Sequence, residues 1–113
     1  MVIKVTEAQA TKLGGAGEGK AVVRQVIAPD KLNGKGRMFN HIFLEPGASI
    51  SHHQHVGETE WYYIISGRGL FNDNGKEVEV GALDLCITPD PEYHDLKNIG
   101  DDTLEMIALI LYS

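Results

Sequence analysis

The sequence holds a single cysteine, Cys86, among 113 residues, so no disulfide can form within the chain. A lone thiol fits a reducing compartment. Cys86 lies in an apolar stretch and reads as a buried, inert thiol rather than a nucleophile. Basic runs are also absent: 10 Lys+Arg stand against 16 Asp+Glu, a net charge of −6 with neutral histidines. That removes the electrostatic footprint of a nucleic-acid binder and disfavours an anionic membrane surface. The longest apolar run, Met106 to Tyr112, is far short of the roughly 20 residues that cross a bilayer as a helix. The first residues, Met1 to Val5, lack the apolar core of a secretion signal. The expectation is a soluble, cytoplasmic protein with neither nucleic acid nor membrane as partner. Proline is scarce, at 4 residues, and no segment carries a long 3.6-residue apolar period, so no long amphipathic helix is expected.

What the chain does have is glycine, 13 residues of it, and 42% hydrophobic residues. The second figure rules out a disordered tail. Glycine in quantity points to turns, and many turns in a short chain point to short strands. Thr6 to Ala10 reads as a single helical turn, and Leu13 to Gly19 as a flexible connector behind a short N-terminal strand. No strand leads directly into that connector and no lysine-serine or lysine-threonine pair closes it, so it does not match a phosphate-binding loop. β-rich runs follow over Ala21 to Ala28, Arg37 to Glu45, Glu58 to Ser66, Gly69 to Asn72, Lys76 to Val80, Leu83 to Thr88, Glu92 to Lys97 and Thr103 to Tyr112. Pro29 to Gly34 reads as a turn or one helical turn, and Asn74-Gly75 marks a hairpin. Short strands at turn-punctuated spacing predict an all-β sandwich or barrel.

Two of these strands are apolar on both faces. Tyr62 and Ile64 share one side, while Trp61, Tyr63 and Ile65 share the other. Met38, Ile42 and Leu44 face one way, and Phe39 and Phe43 the opposite way. A small barrel buries one face per strand, so the outer one needs a cover. A homodimer supplies it; the alternative is that terminal strands of the same chain lie over it.

Chemistry concentrates in the histidines. His52, His53 and His55 fall within four residues, followed by Glu58 and Glu60, with His94 further on. On an extended strand His53 and His55 project to one side and His52 to the other. Two imidazoles joined by a carboxylate from the next strand form a mixed nitrogen–oxygen donor set for Fe, Mn, Ni, Cu or Zn. A histidine-rich polar turn is the plain alternative.

The segment from Gly47 to Gly67 resembles the first motif of the cupin family. Gly47, His53, His55, Glu60 and Gly67 occupy all of its fixed positions. The second cupin motif is matched at Pro89, His94 and Asn98, with Leu83 and Pro91 standing where glycine is usual. Fifteen residues, Arg68 to Ala82, separate the two motifs. The resemblance implies an all-β double-stranded β-helix, or jelly-roll barrel, of six or so strands. It implies a small single-domain cupin of the cupin-2 type over residues 1–113. N-terminal strands and a connector would take residues 1–35, and the barrel core with both motifs residues 36–112. It further implies one divalent transition metal per chain (Fe, Mn, Ni, Zn or Cu), held by His53, His55, Glu60 and His94, and a homodimer. Such a donor set leaves one or two positions open on a six-coordinate ion, as a catalytic or ligand-binding site requires.

Around that site the expectations are looser. Tyr62 shares the side of Glu60 and is either a pocket residue with a catalytic part or a core aromatic. Asn40, on the side of Ile42 and Leu44, is a candidate buried amide facing a substrate pocket. Glu58 is a candidate base behind the ligands or a solvated loop residue, and the loop reading is favoured. Arg24 and Arg37 either bind a carboxylate or sit solvated at strand ends. His41 and His52 read as structural or surface residues. Tyr93 alternates outward. The function implied is that of a metalloenzyme acting on a small polar or carboxylate-bearing metabolite, by dioxygenase, decarboxylase or sugar-isomerase chemistry. The alternative is a non-catalytic cupin that binds or senses a small molecule or a metal.

Overall fold

A computed structural model of the chain describes residues 1–5, 10–12 and 17–113. Apart from Ala10, which opens a strand rather than ending a helical turn, the turn expected over Thr6 to Ala10 lies outside the described residues, as does most of the connector expected over Leu13 to Gly19. Among those described, ten strands form. They are β1 (Ala10–Lys12), β2 (Ala21–Gln25), β3 (Gly36–Leu44), β4 (Ser49–Gln54), β5 (Glu58–Ser66), β6 (Arg68–Asp73), β7 (Lys76–Gly81), β8 (Leu85–Thr88), β9 (Tyr93–Asn98) and β10 (Leu104–Tyr112). A 3-10 turn spans Pro29–Leu32.

The strands build two antiparallel sheets, one of six in the order β1-β2-β3-β10-β5-β8 and one of four in the order β4-β9-β6-β7. This is the expected jelly roll, with more strands than the six or so anticipated. β4 is the extended segment on which the alternation of His53 and His55 depends. A register shift between Ile50 and His53 brings His53 opposite His94 of β9, so two motifs distant in sequence meet as cross-strand neighbours. The Asn74-Gly75 turn takes φ of 49° and 102°, as a two-residue hairpin with both central residues left-handed demands, and it joins β6 to β7 in register.

The inner faces meet in a core of Leu44, Ile64, Leu96, Leu104, Met106 and Ala108, none of which reaches solvent. Full burial of a leucine or isoleucine side chain is worth about 1.5–3 kcal/mol. Asn98, the motif asparagine, is a buried tie. Its Nδ2 donates to the carbonyls of Leu44 and Asp102, each at 2.8 Å, and its Oδ1 accepts from Gly100 N.

The outer face of the larger sheet is apolar as expected. Phe39, Trp61, Tyr63, Leu85, Ile107, Leu109 and Leu111 line a groove of about 300 Å³ there. Tyr63, Leu85 and Ile87 are exposed. The terminal strands β1, β2 and β10 lie within this sheet, and among the described residues nothing is packed over the groove. Nor is any described helix long and apolar enough to cross a membrane.

The strand expected from Leu83 begins only at Leu85, because Gly81 to Asp84 form a turn closed by Asp84 N donating to Gly81 O at 3.0 Å. Leu83 occupies its third position with φ of 72°, the left-handed conformation that glycine adopts without a steric penalty. Leu83 is exposed, so its side chain contributes little in exchange for the strain. Leu83→Gly is therefore expected to raise stability by about 1 kcal/mol, measured as a higher urea midpoint. A lower midpoint would show that the leucine side chain stabilises the fold by more than its backbone costs.

Candidate metal centre

β4 and the residue just past it, β5 and β9 aim one group of side chains into the space between the sheets. His53, His55, Glu60 and His94 each present one donor atom, and these atoms lie within 4.8 Å of one another. The Nε2 atoms of His53 and His55 are 3.1 Å apart, those of His55 and His94 3.0 Å, and those of His94 and His53 3.0 Å. Glu60 Oε1 lies 2.8 Å from His55 Nε2 and 3.1 Å from His94 Nε2. His55, Glu60 and His94 are buried, and His53 is half-buried.

The second ring nitrogens define the protonation. His53 Nδ1 lies 2.7 Å from the Ser51 carbonyl, which can only accept, so Nδ1 carries the proton. His55 Nδ1 lies 2.5 Å from Glu58 Oε2, and an ionised carboxylate likewise only accepts. His94 Nδ1 meets the Thr88 hydroxyl at 2.7 Å. With Nδ1 engaged outward, His53 and His55 turn Nε2 toward the same point as Glu60 Oε1, where His55 Nε2 shares a proton with the carboxylate. A cation would take that proton's place and meet all four donor atoms at once. Ligands bonded at about 2.1 Å and at right angles stand about 3.0 Å apart, which the observed nitrogen separations match. The group could hold a metal ion.

The charges respond to this packing. Burial lowers the His53 imidazole below its ordinary value of 6.5. The Glu60 bond raises His55 above that value, against burial. Burial pushes Glu60 up, but the bonds from His55 and His94 outweigh it and hold the carboxyl below its ordinary 4.5. Glu58 is held low first by Arg37 and then by His55.

Tyr62 is fully inside. Its ring stacks on His94 at 5.0 Å and its hydroxyl lies 3.4 Å from His94 Nε2. Burial and the Glu60 charge raise the phenol well above 10, so it stays protonated. Asn40 lines the same cavity, of about 190 Å³, together with Arg37, Met38, Ile42, Ile50 and Ile110. Its buried Oδ1 has no hydrogen-bond partner among the described residues.

Two expectations need correcting. Glu58, favoured as a solvated loop residue, is buried at the start of β5 on the face of Glu60. Strand alternation held the signal, because residues two apart share a face. Arg37 is neither simply solvated nor free for an incoming anion: Nε and Nη2 donate to the two Glu58 oxygens at 2.7 and 2.8 Å. His41 pairs with Glu105, and His52 with Asp95, both away from the cluster. Arg24 lies over the Phe43 ring. Tyr93 is exposed and stacks on His52. Cys86 is buried, and burial pushes its thiol up to about 12, consistent with an inert group. Sequence reasoning missed Thr88, whose hydroxyl positions His94 and which no motif marks.

The family model for the cupin domain matches residues 40–110. The oxalate-binding protein of Thermotoga maritima is 35% identical over 113 aligned residues, covering 98% of this chain and 93% of that protein. A crystal structure from the same organism, described as a "predicted oxalate decarboxylase", superposes with a TM-score of 0.94 at 35% identity, over the whole of both chains. The polyketide cyclase RemF of Streptomyces resistomycificus shares the fold at a TM-score of 0.74 and 18% identity, over 99% of this chain and 80% of that one. A two-sheet jelly roll that gathers His53, His55, Glu60 and His94 between its sheets is what the matched motifs imply, and the chain belongs to the cupin family.

Proposed function

We propose that the chain holds one divalent transition metal (Fe, Mn, Ni, Zn or Cu) through His53, His55, Glu60 and His94, and through it binds a small carboxylate-bearing molecule of the oxalate type. The observation that carries this is the triangle of Nε2 atoms 3.0–3.1 Å apart beside Glu60 Oε1, with the outward nitrogens of His53 and His55 each on an acceptor oxygen. When bound, the ion supplies Lewis-acid attraction for carboxylate oxygens. The chain's own residues do the rest. The Tyr62 hydroxyl donates to an oxygen seated beside His94, and the Asn40 Oδ1 accepts from a ligand N–H or O–H. Met38, Ile42, Ile50 and Ile110 exclude water, which strengthens every charged contact in the pocket. A cavity of about 190 Å³ restricts the ligand to a small molecule, and the name of the 35% identical oxalate-binding relative supports the dicarboxylate class.

Calorimetric titration of oxalate into the Mn(II)-loaded protein should give one ligand per chain. Binding should disappear after chelation and be at least about tenfold weaker for acetate, which has lost one charged group (a loss of about 1.4 kcal/mol or more). Metal-loaded protein that is silent to oxalate and malonate would remove the ligand class.

A second reading, turnover of the bound acid, is favoured by Tyr62, a protonated hydroxyl beside the cluster. Decarboxylation of oxalate takes up one proton and yields formate and carbon dioxide, so formate in the titration mixture would decide for the enzyme.

The uncovered groove on the larger sheet supports pairing with a second copy of the chain, since a flat apolar face repeated about a two-fold axis complements itself.

A further inference from the structure

The His55 imidazole is held between two carboxylates of one strand. Glu60 Oε1 faces its Nε2 at 2.8 Å, and Glu58 Oε2 faces its Nδ1 at 2.5 Å. The outer partners of His53 and His94 are neutral, a carbonyl and a hydroxyl. His55 alone among the three is backed by a charge. That charge is itself anchored, because Arg37 occupies both Glu58 oxygens in a two-point fork.

We propose that Arg37 and Glu58 are positioning residues for the four-residue cluster: Glu58, locked by Arg37, keeps the proton on His55 Nδ1 and turns the Nε2 lone pair to the cluster's centre. The inference rests on the metal-binding reading above. Without the fork, the Glu58 carboxylate, only 8% exposed, loses the contacts that fix its rotamer and is free to turn away from His55 Nδ1. His55 is then free to adopt the other tautomer, with a proton on Nε2 aimed at His53 and His94. A lysine at position 37 would supply the charge without the two-point geometry. Carboxylate-backed imidazoles are also more basic ligands.

The fork spans the sheet as well, since β10 lies between β3 and β5. The test must therefore separate positioning from tying strands together. Co(II) affinity by chelator competition and the Co(II) visible spectrum are measured on the full chain, on Glu58→Gln, on Arg37→Gln and on the double variant. Thermal unfolding of each metal-free protein is recorded alongside. Glu58→Gln is expected to weaken Co(II) binding about 10- to 100-fold and to shift the spectrum. Arg37→Gln is expected to weaken it less, and the double variant no more than Glu58→Gln, because Arg37 acts through Glu58. Unchanged Co(II) affinity with a lowered metal-free midpoint overturns the proposal and leaves only a structural tie. Additive losses in the double variant overturn the relay from Arg37 to Glu58. A wild-type chain that binds no Co(II) overturns the reading of the cluster and this inference with it.

Discussion

Protein purified without a metal-affinity tag is expected to carry about one transition-metal ion per chain, and His53→Ala to carry none. His53 is the right ligand to remove because it is the half-buried member of the four. Truncating His55 or His94 would open a void in the interior and confuse metal loss with unfolding. With metal a hundredfold above its dissociation constant, binding stabilises the fold by about 2.7 kcal/mol. A chelator should then lower the wild-type thermal midpoint by roughly 10–20 °C and leave His53→Ala unmoved. Elemental analysis and paired melting curves check both parts. Stoichiometric metal in His53→Ala would displace the site, and its absence from both proteins would leave a metal-free cupin.

The same site sets a pH dependence with a definite sign. His55 is raised above 6.5 by Glu60, so protons compete with metal at its Nε2 from above pH 6.5 downward, and metal affinity should begin to fall there. In the metal-free chain the same raised value stabilises the fold below pH 6.5, and that contribution is lost as pH rises through it. The lowered Glu60 value stabilises the fold above pH 4.5 and is lost as pH falls through it. His53, lowered by burial, opposes His55 in the metal-free chain as pH falls, so the sign is read on the metal: chelation is expected to cost more stability above pH 6.5 than below it. A chelator-induced shift that does not vary with pH would contradict this.

The wild-type chain is expected to sediment at twice the monomer mass of 12.4 kDa, and Leu85→Glu to sediment as the monomer. Leu85 lies on β8 at the edge of the larger sheet and is 53% exposed, so the substitution removes little core. Apolar surface left in water costs about 25 cal/mol per Å², and the groove at Phe39, Trp61, Tyr63 and Leu109 runs across the strands that form the middle of that sheet. In a two-fold pairing each substitution enters the interface twice, so one glutamate per chain brings two charges into an apolar contact. The dimer constant should weaken by at least about a hundredfold, equivalent to roughly 2.7 kcal/mol. A wild-type chain that is monomeric at micromolar concentration would show that the face has another use.

Several of these residues are legible in the sequence alone. The cupin motifs named His53, His55, Glu60 and His94, and alternation put His53 and His55 on one side of their strand. The apolar second faces of Trp61, Tyr63 and Phe39 marked a surface in need of a cover. Asn74-Gly75 marked its hairpin, because a left-handed pair of residues is a local demand. Other features depended on neighbours that sequence does not bring together. Glu58 reads as a loop residue from its neighbours in sequence, and Arg37, 21 residues earlier, holds it at the start of a strand. Thr88 carries no signal of its own, since its role exists only where β8 passes behind His94. Leu83 departs from the expected glycine yet keeps the glycine conformation, a cost that only the backbone reveals.

The sequence by itself determined which residues carry donor atoms and which side of each strand they take, because those are properties of spacing and of a two-residue period. Only the tertiary structure decided which ring nitrogen holds a proton, which carboxylate faces the cluster and which backs it, and where Arg37 spends its charge. Those depend on distances near 3 Å between strands far apart in the chain, and hydrogen bonding and Coulomb attraction act across that space without regard to sequence order.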